Sequence, residues 1–188
     1  PPVGNRPGLF WLIYTVVRSR GNAMADFPNY LVTSESIDGP WSEPIYLNSS
    51  GFDPSLFHDD DGRHWLVNMI WDHRNGNNPF AGIMLQEYDA EARRLVGEAK
   101  NLFRGTALGV TEGAHIYKRN DLYYMMVAEG GTFWDHAVTV ARSPDLDGPY
   151  EVDPDYPMLT ARHDQSLPIQ KSGHASLVET PDGEWVLA

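Results

Sequence analysis

Cysteine is absent from the 188 residues. No disulfide framework can hold the fold, and thiolate chemistry is excluded. No apolar run approaches the roughly 20 residues that carry a helix across a bilayer. The first residues do not read as a signal peptide, so cytoplasmic and secreted locations both stay open. Positive charge is scarce: 14 Lys and Arg face 26 Asp and Glu, a net charge of −12. That balance argues against nucleic acid and against anionic membrane surfaces as partners. His58, His64, His73 and His115 lack zinc spacing. Asp59-Asp60-Asp61-Gly62 resembles half a calcium loop, but Ile70 stands where the bidentate Glu is required. It reads as a solvated hairpin turn, and no metal site is assigned from spacing.

Aromatics are plentiful, with six Trp, nine Tyr and seven Phe. They fit strands, and they also fit a surface that stacks on flat ligands. The strongest signal is a repeat. Gly51-Phe52-Asp53-Pro54-Ser55-Leu56-Phe57-His58 is followed by a turn and a second apolar strand from His64. The design returns at Glu112–Tyr117 with Leu122–Val127, and again at His174–Val178 with Glu184–Leu187. A partial copy opens the chain, with a turn at Pro7-Gly8 and a strand over 9–17. Trp11, Trp65, Tyr124 and Trp185 align at spacings of 54, 59 and 61 residues. Strand-rich units near 60 residues suggest propeller blades of four strands.

Further strands are expected at Tyr30–Ser34, near Ile45–Leu47, at Gly82–Tyr88 and at Ala137–Arg142. Residues 18–29 and 71–80 read as loops. Residues 89–95 are helical by propensity but occupy the place of the turn Asp38-Gly39-Pro40, so a hairpin turn is expected. Asp147-Gly148-Pro149-Tyr150 repeats Asp38-Gly39-Pro40-Trp41. The chain then divides into a partial blade at 1–52, whole blades at 53–111 and 112–173, and the start of another at 174–188. Such an array does not close into a ring, and a piece of a longer protein is expected.

In a propeller the first strand of each blade lines the axis, so residues at neighbouring blade openings converge. Asp53 lies 12 residues before Trp65, and Glu112 lies 12 before Tyr124. This register brings Asp53, Glu112 and His174 to one pocket. Two carboxyls beside an imidazole, ringed by aromatics, suit glycosidase chemistry. An Asp before Pro is more often a turn residue or cap, and strand aromatics such as Phe52 and Trp71 are usually core.

These segments carry a resemblance. Phe10–Thr15, Asn29–Thr33, Gly51–His58, Trp71–Arg74, Thr111–Tyr117, Ala128-Glu129-Gly130-Gly131-Thr132 and Gly173–Ser176 are similar to glycoside hydrolase family 43, in its β-xylosidase branch. The resemblance covers essentially the whole chain. It implies a five-bladed β-propeller, covered here from about blade two to the start of blade five. It implies hydrolysis with inversion of the anomeric centre, by an exo-acting enzyme that releases xylose from xylo-oligosaccharides. α-L-Arabinofuranosidase activity on arabinose-substituted substrates, or a non-catalytic sugar-binding propeller, are the alternatives. Glu112 corresponds to the general acid and Asp53 to the Asp that orients it and raises its pKa. Phe52, Trp71, Thr132 and His174 correspond to sugar-binding positions. No cofactor is required, although calcium on the propeller axis near His174 occurs in some members. A homo-oligomer is compatible with the family. The general-base Asp of the first blade, a catalytic Arg further on and the C-terminal β-sandwich of many relatives have no match in this sequence.

Overall fold

The computed structural model describes residues 8–18 and 25–188. Pro7 of the turn expected at Pro7-Gly8, and residues 19–24 of the loop expected over 18–29, lie outside the described residues. Among the described residues, fourteen strands form four antiparallel sheets in chain order. The first holds β1 (Phe10–Thr15), β2 (Asn29–Ser34) and β3 (Ile45–Asn48). The second holds β4 (Ser55–His58), β5 (His64–Trp71), β6 (Phe80–Asp89) and β7 (Arg94–Phe103). The third holds β8 (Glu112–Arg119), β9 (Leu122–Glu129) and β10 (Ala137–Ser143), with the short β11 (Glu151–Val152) and β12 (Leu159–Thr160) both paired to β10. β13 (Leu177–Glu179) and β14 (Trp185–Leu187) form the fourth. The sheets follow one another as propeller blades do.

Alternation of apolar residues explains which faces meet. Leu66, Met84 and Tyr88 of the second sheet pack on Leu31 and Leu47 of the first. Its other face sends Phe57, Val67, Met69, Ile83 and Leu85 against Ala114, Ile116, Met125 and Val127 of the third. A smaller cluster of Met126, Val138 and Ala175 joins the third sheet to the fourth. The leading strands also touch through polar bonds. Ser55 Oγ donates to the Ala114 carbonyl at 2.6 Å, and the Leu177 amide donates to Tyr117 Oη at 2.8 Å.

The hairpin expected over 89–95 is present. Asp89 pairs with Arg94, and Asp89 Oδ1 accepts the amides of Glu91 and Ala92 at 2.9 and 2.8 Å. The Asp-Gly-Pro repeat is also a repeat of conformation, with Gly39 at φ 86° and Gly148 at φ 83°. β7 is the strand that the hairpin over 89–95 implies. It is an exposed edge whose sequence, RLVGEAKNLF, shows little alternation. Two expectations need correction. The strands do not begin at Asp53 and His174: β4 starts at Ser55 and β13 at Leu177. The Asp59–Gly62 turn is a hairpin, but Asp59 is not solvated. Its side chain is 7% exposed and accepts from Lys118 Nζ and Tyr123 Oη, each at 2.8 Å. At the same end, His58 and His64 pair through their Nδ1 atoms at 2.7 Å, and both rings contact Trp11.

Candidate active site

The openings of β4 and β8 share one backbone device, and the approach to β13 shares its left-handed residue. Phe52 O accepts from Met69 N, whereas Ser55 pairs with Val67. Three steps along the first strand therefore face two along the second, a β-bulge. β8 does the same, since Glu112 pairs with Ala128 but His115 with Met126. In each bulge one residue is left-handed: Asp53 at φ 52° and Gly113 at φ 59°. His174, at φ 55°, stands two residues before Ser176, which bonds Ala188 in both directions. Asp, Asn and His tolerate this conformation better than most side chains.

This corrects the register read from the sequence. The structurally equivalent residues are Asp53, Gly113 and His174, and Glu112 is level with Phe52. The matching twelve-residue spacings arise because the β8–β9 hairpin is tighter. Its turn is Asn120-Asp121, both with positive φ as a two-residue type I′ turn requires, against five residues between His58 and His64. Gly113 has a second reason to be glycine. A Cβ there would lie 2.6 Å from His174 Nε2.

The geometry still brings all three functional groups together. One carboxylate oxygen each of Asp53 and Glu112 and one ring nitrogen of His174 lie within 4.8 Å of one another. They line a cavity of about 900 Å³. Phe52, Trp71 and Thr132 line it too, so every site residue singled out in the sequence faces the same space. Sequence reasoning missed Thr15, Phe27, Phe80 and His115 on that wall. Phe27 and Phe80 sit at the ends of segments read only as loops, where aromatic identity was the one available signal. With Phe52 and Trp71 they form an aromatic wall: Phe27–Phe52 is 5.1 Å, Phe27–Trp71 5.6 Å and Trp71–Phe80 5.4 Å between centroids. Edge-to-face packing of this kind fixes ring orientation and leaves apolar faces for a ligand.

Asp53 is approached through a buried amide chain. Thr15 Oγ1 donates to Asn29 Oδ1 at 2.6 Å, and Asn29 Nδ2 donates to Asn48 Oδ1 and the Gly51 carbonyl at 2.8 and 2.9 Å. Asn68 Nδ2 donates to Ser50 Oγ at 3.0 Å and to the Met69 carbonyl at 2.6 Å. Asn29 and Asn68 are fully buried. Satisfied networks of this kind rigidify what they touch, here the Ser50-Gly51 entry to Phe52 and Asp53.

Burial pushes the Glu112 carboxyl up to about 7, and the Asp53 charge adds to the shift. Burial also raises Asp53, but His174 and the Gly113 amide work against it. The pair therefore divides its roles: Asp53 gives up its proton first and Glu112 retains one near neutral pH. His115 is pushed down by burial and by His174, which keeps its ring neutral. A carboxyl protonated near pH 7, facing an aromatic-lined cavity, can donate a proton to a bound oxygen.

Residues 1–188 match the sequence profile described as Glycosyl hydrolases family 43. The Xylosidase/arabinosidase 43B of Humicola insolens is 56% identical over 178 residues, 95% of this chain and 33% of that protein. The Beta-xylosidase of Bacillus subtilis is 53% identical over the whole chain and 35% of its own length. The crystal structure of xylan beta-1,4-xylosidase from Bacillus halodurans superposes with a TM-score of 0.94 at 60% identity, over 97% of this chain and 35% of that one. The chain thus spans about a third of the length of the curated relatives it matches.

Proposed function

The chain belongs to glycosyl hydrolases family 43, and from that footing we propose that it serves an inverting, exo-acting β-xylosidase acting on xylo-oligosaccharides. The observation that carries this reading is Glu112, held protonated to about pH 7 by burial and by Asp53. Glu112 donates its proton to the leaving glycosidic oxygen as the bond to the anomeric carbon breaks. Asp53 stays charged, aligns Glu112 and keeps its pKa high. Inversion needs a base about 6.5–9.5 Å from the acid, with a water between them. An Asp53 oxygen lies within 4.8 Å of one on Glu112. That is too close for such a water, so the base is a further carboxylate. Phe52 and Trp71 hold the sugar ring, and Thr132 and His174 meet its hydroxyls. Xylopyranosides and arabinofuranosides present similar hydroxyls, and one relative bears both activities in its name, so the same pocket accepts both to different degrees.

The fold is an all-β propeller. Its closed form, in this reading, has five blades, with 53–111 and 112–173 as whole ones. No step is assigned to a metal. Asp53, Glu112 and His174 could offer donors to a cation, but the proton that Glu112 holds near neutral pH competes for one of them.

The test uses the protein expressed from its whole gene. It cleaves 4-nitrophenyl β-xylopyranoside faster than 4-nitrophenyl α-L-arabinofuranoside, and proton NMR of the first product from xylobiose shows α-xylose. β-Xylose would make Asp53 a nucleophile in a retaining reaction. Sugar binding without cleavage of either substrate would make the propeller a binding module.

A further inference from the structure

Glu129, the last residue of β9, is fully buried and takes no part in the chemistry above. Its two oxygens accept four hydrogen bonds. Oε1 accepts from the Thr106 amide at 2.7 Å and from Thr111 Oγ1 at 2.9 Å. Oε2 accepts from Thr106 Oγ1 and Thr139 Oγ1, each at 2.7 Å. No cation pairs with it among the described residues. A buried carboxylate is costly to keep, and here it is spent wholly on one segment and on β10.

That segment, 104–111, leads into Glu112. Val110 within it has φ 52°, a conformation that β-branched residues avoid. Such strain persists only where the surroundings over-determine it. Glu129 grips Thr106 and Thr111 on either side of Val110. Gly130, the next residue, donates its amide to the Gly109 carbonyl at 2.8 Å. The fit is tight elsewhere too: a Cβ on Gly105 would lie 1.9 Å from Thr111 Oγ1 and 3.0 Å from Glu129 Oε1. Past Gly131, the same chain reaches Thr132 on the cavity wall.

We propose that Glu129 is a positioning residue, whose carboxylate clamps the strained Val110-Thr111 segment and thereby aims the Glu112 carboxyl. The inference rests on the reading of Glu112 as general acid. Misplacing a reacting group by an ångström can cost about 100-fold in rate, and the loss falls on substrates that need the proton.

The experiment compares Thr111→Val, Glu129→Ala, Glu129→Gln and Glu112→Ala in the protein expressed from its whole gene. Xylobiose, which needs leaving-group protonation, is set against 2,4-dinitrophenyl β-xyloside, which does not. Thr111→Val, isosteric and expected to fold, loses about 10- to 100-fold in kcat/KM on xylobiose and less than about threefold on the activated xyloside. Glu129→Ala shows the same split more strongly. Glu129→Gln stays near wild type on both. Its amide oxygen still accepts from Thr106 and Thr111, and its NH2 donates to the two hydroxyls once they rotate. Equal losses on both substrates in Thr111→Val and Glu129→Ala would overturn the inference, provided Glu112→Ala shows the split. If Glu112→Ala lacks the split, the general-acid reading fails first and the positioning role falls with it.

Discussion

Replacing Asp53 by Asn separates the two forces acting on Glu112. Asn tolerates the left-handed backbone at this position, so the bulge persists. Burial, the larger cause of the raised Glu112 pKa, remains, while the like charge is gone. The Glu112 pKa then falls from about 7 part of the way toward its ordinary value. An acid catalyst is lost as pH rises through its pKa, so the alkaline limb of kcat/KM against pH moves to lower pH in Asp53→Asn. A limb that stays in place would remove Asp53 from this role. Asp53 and Glu112 were legible in the sequence because each opens a repeated unit. Thr15, Phe27 and Phe80 were not, because they reach the cavity through loops or strand ends that no repeat marks, and His115 was not, because the other units carry Ser55 and Ser176 in its place.

The β4–β5 hairpin has two working ends. One carries the bulge at Asp53. The other end of the β4–β5 hairpin places Asp59 against Lys118 and Tyr123 of the next sheet. Burial alone would raise the Asp59 pKa, but these hydrogen bonds outweigh it and hold it below the ordinary range. The stabilisation is therefore present above the unfolded carboxylate pKa and is lost as pH falls through the depressed folded value. Asp59→Ala leaves Lys118 and Tyr123 without their partner and costs roughly 2 kcal/mol. The cost is read as a lower urea midpoint at pH 7, with the difference from wild type shrinking in strong acid. The inner strands and their turns were readable from alternation and from Gly, Asn and Asp. β7 was readable only through the hairpin turn before it, because its exposed edge carries little alternation. The offset of Glu112 was also hidden, since a tighter turn at Asn120-Asp121 compensates for it and leaves the count to Tyr124 unchanged.

The sheets succeed one another around an axis, and the site is assembled from residues about 60 apart in the chain. Glu112 comes from the third sheet and Asp53 from the bulge that leads into the second, and in the proposed mechanism the base belongs to neither. The 188-residue chain expressed alone is therefore expected to release no measurable nitrophenol from 4-nitrophenyl β-xylopyranoside, whereas the protein expressed from its whole gene does so. Comparable rates from both would place the base among these residues. The left-handed positions Asp53, Gly113 and His174 have a meaning for descent as well. If the blades arose by copying one ancestral unit, the bulge was copied with it, and each copy inherited a position whose backbone rejects most side chains. Glycine fits it, and so do Asn, Asp and His more readily than other residues. Divergence at that slot was thereby confined to hydrogen or to short side chains that carry charge, proton or dipole. On that descent, the repeated backbone filtered which residues could face the cavity.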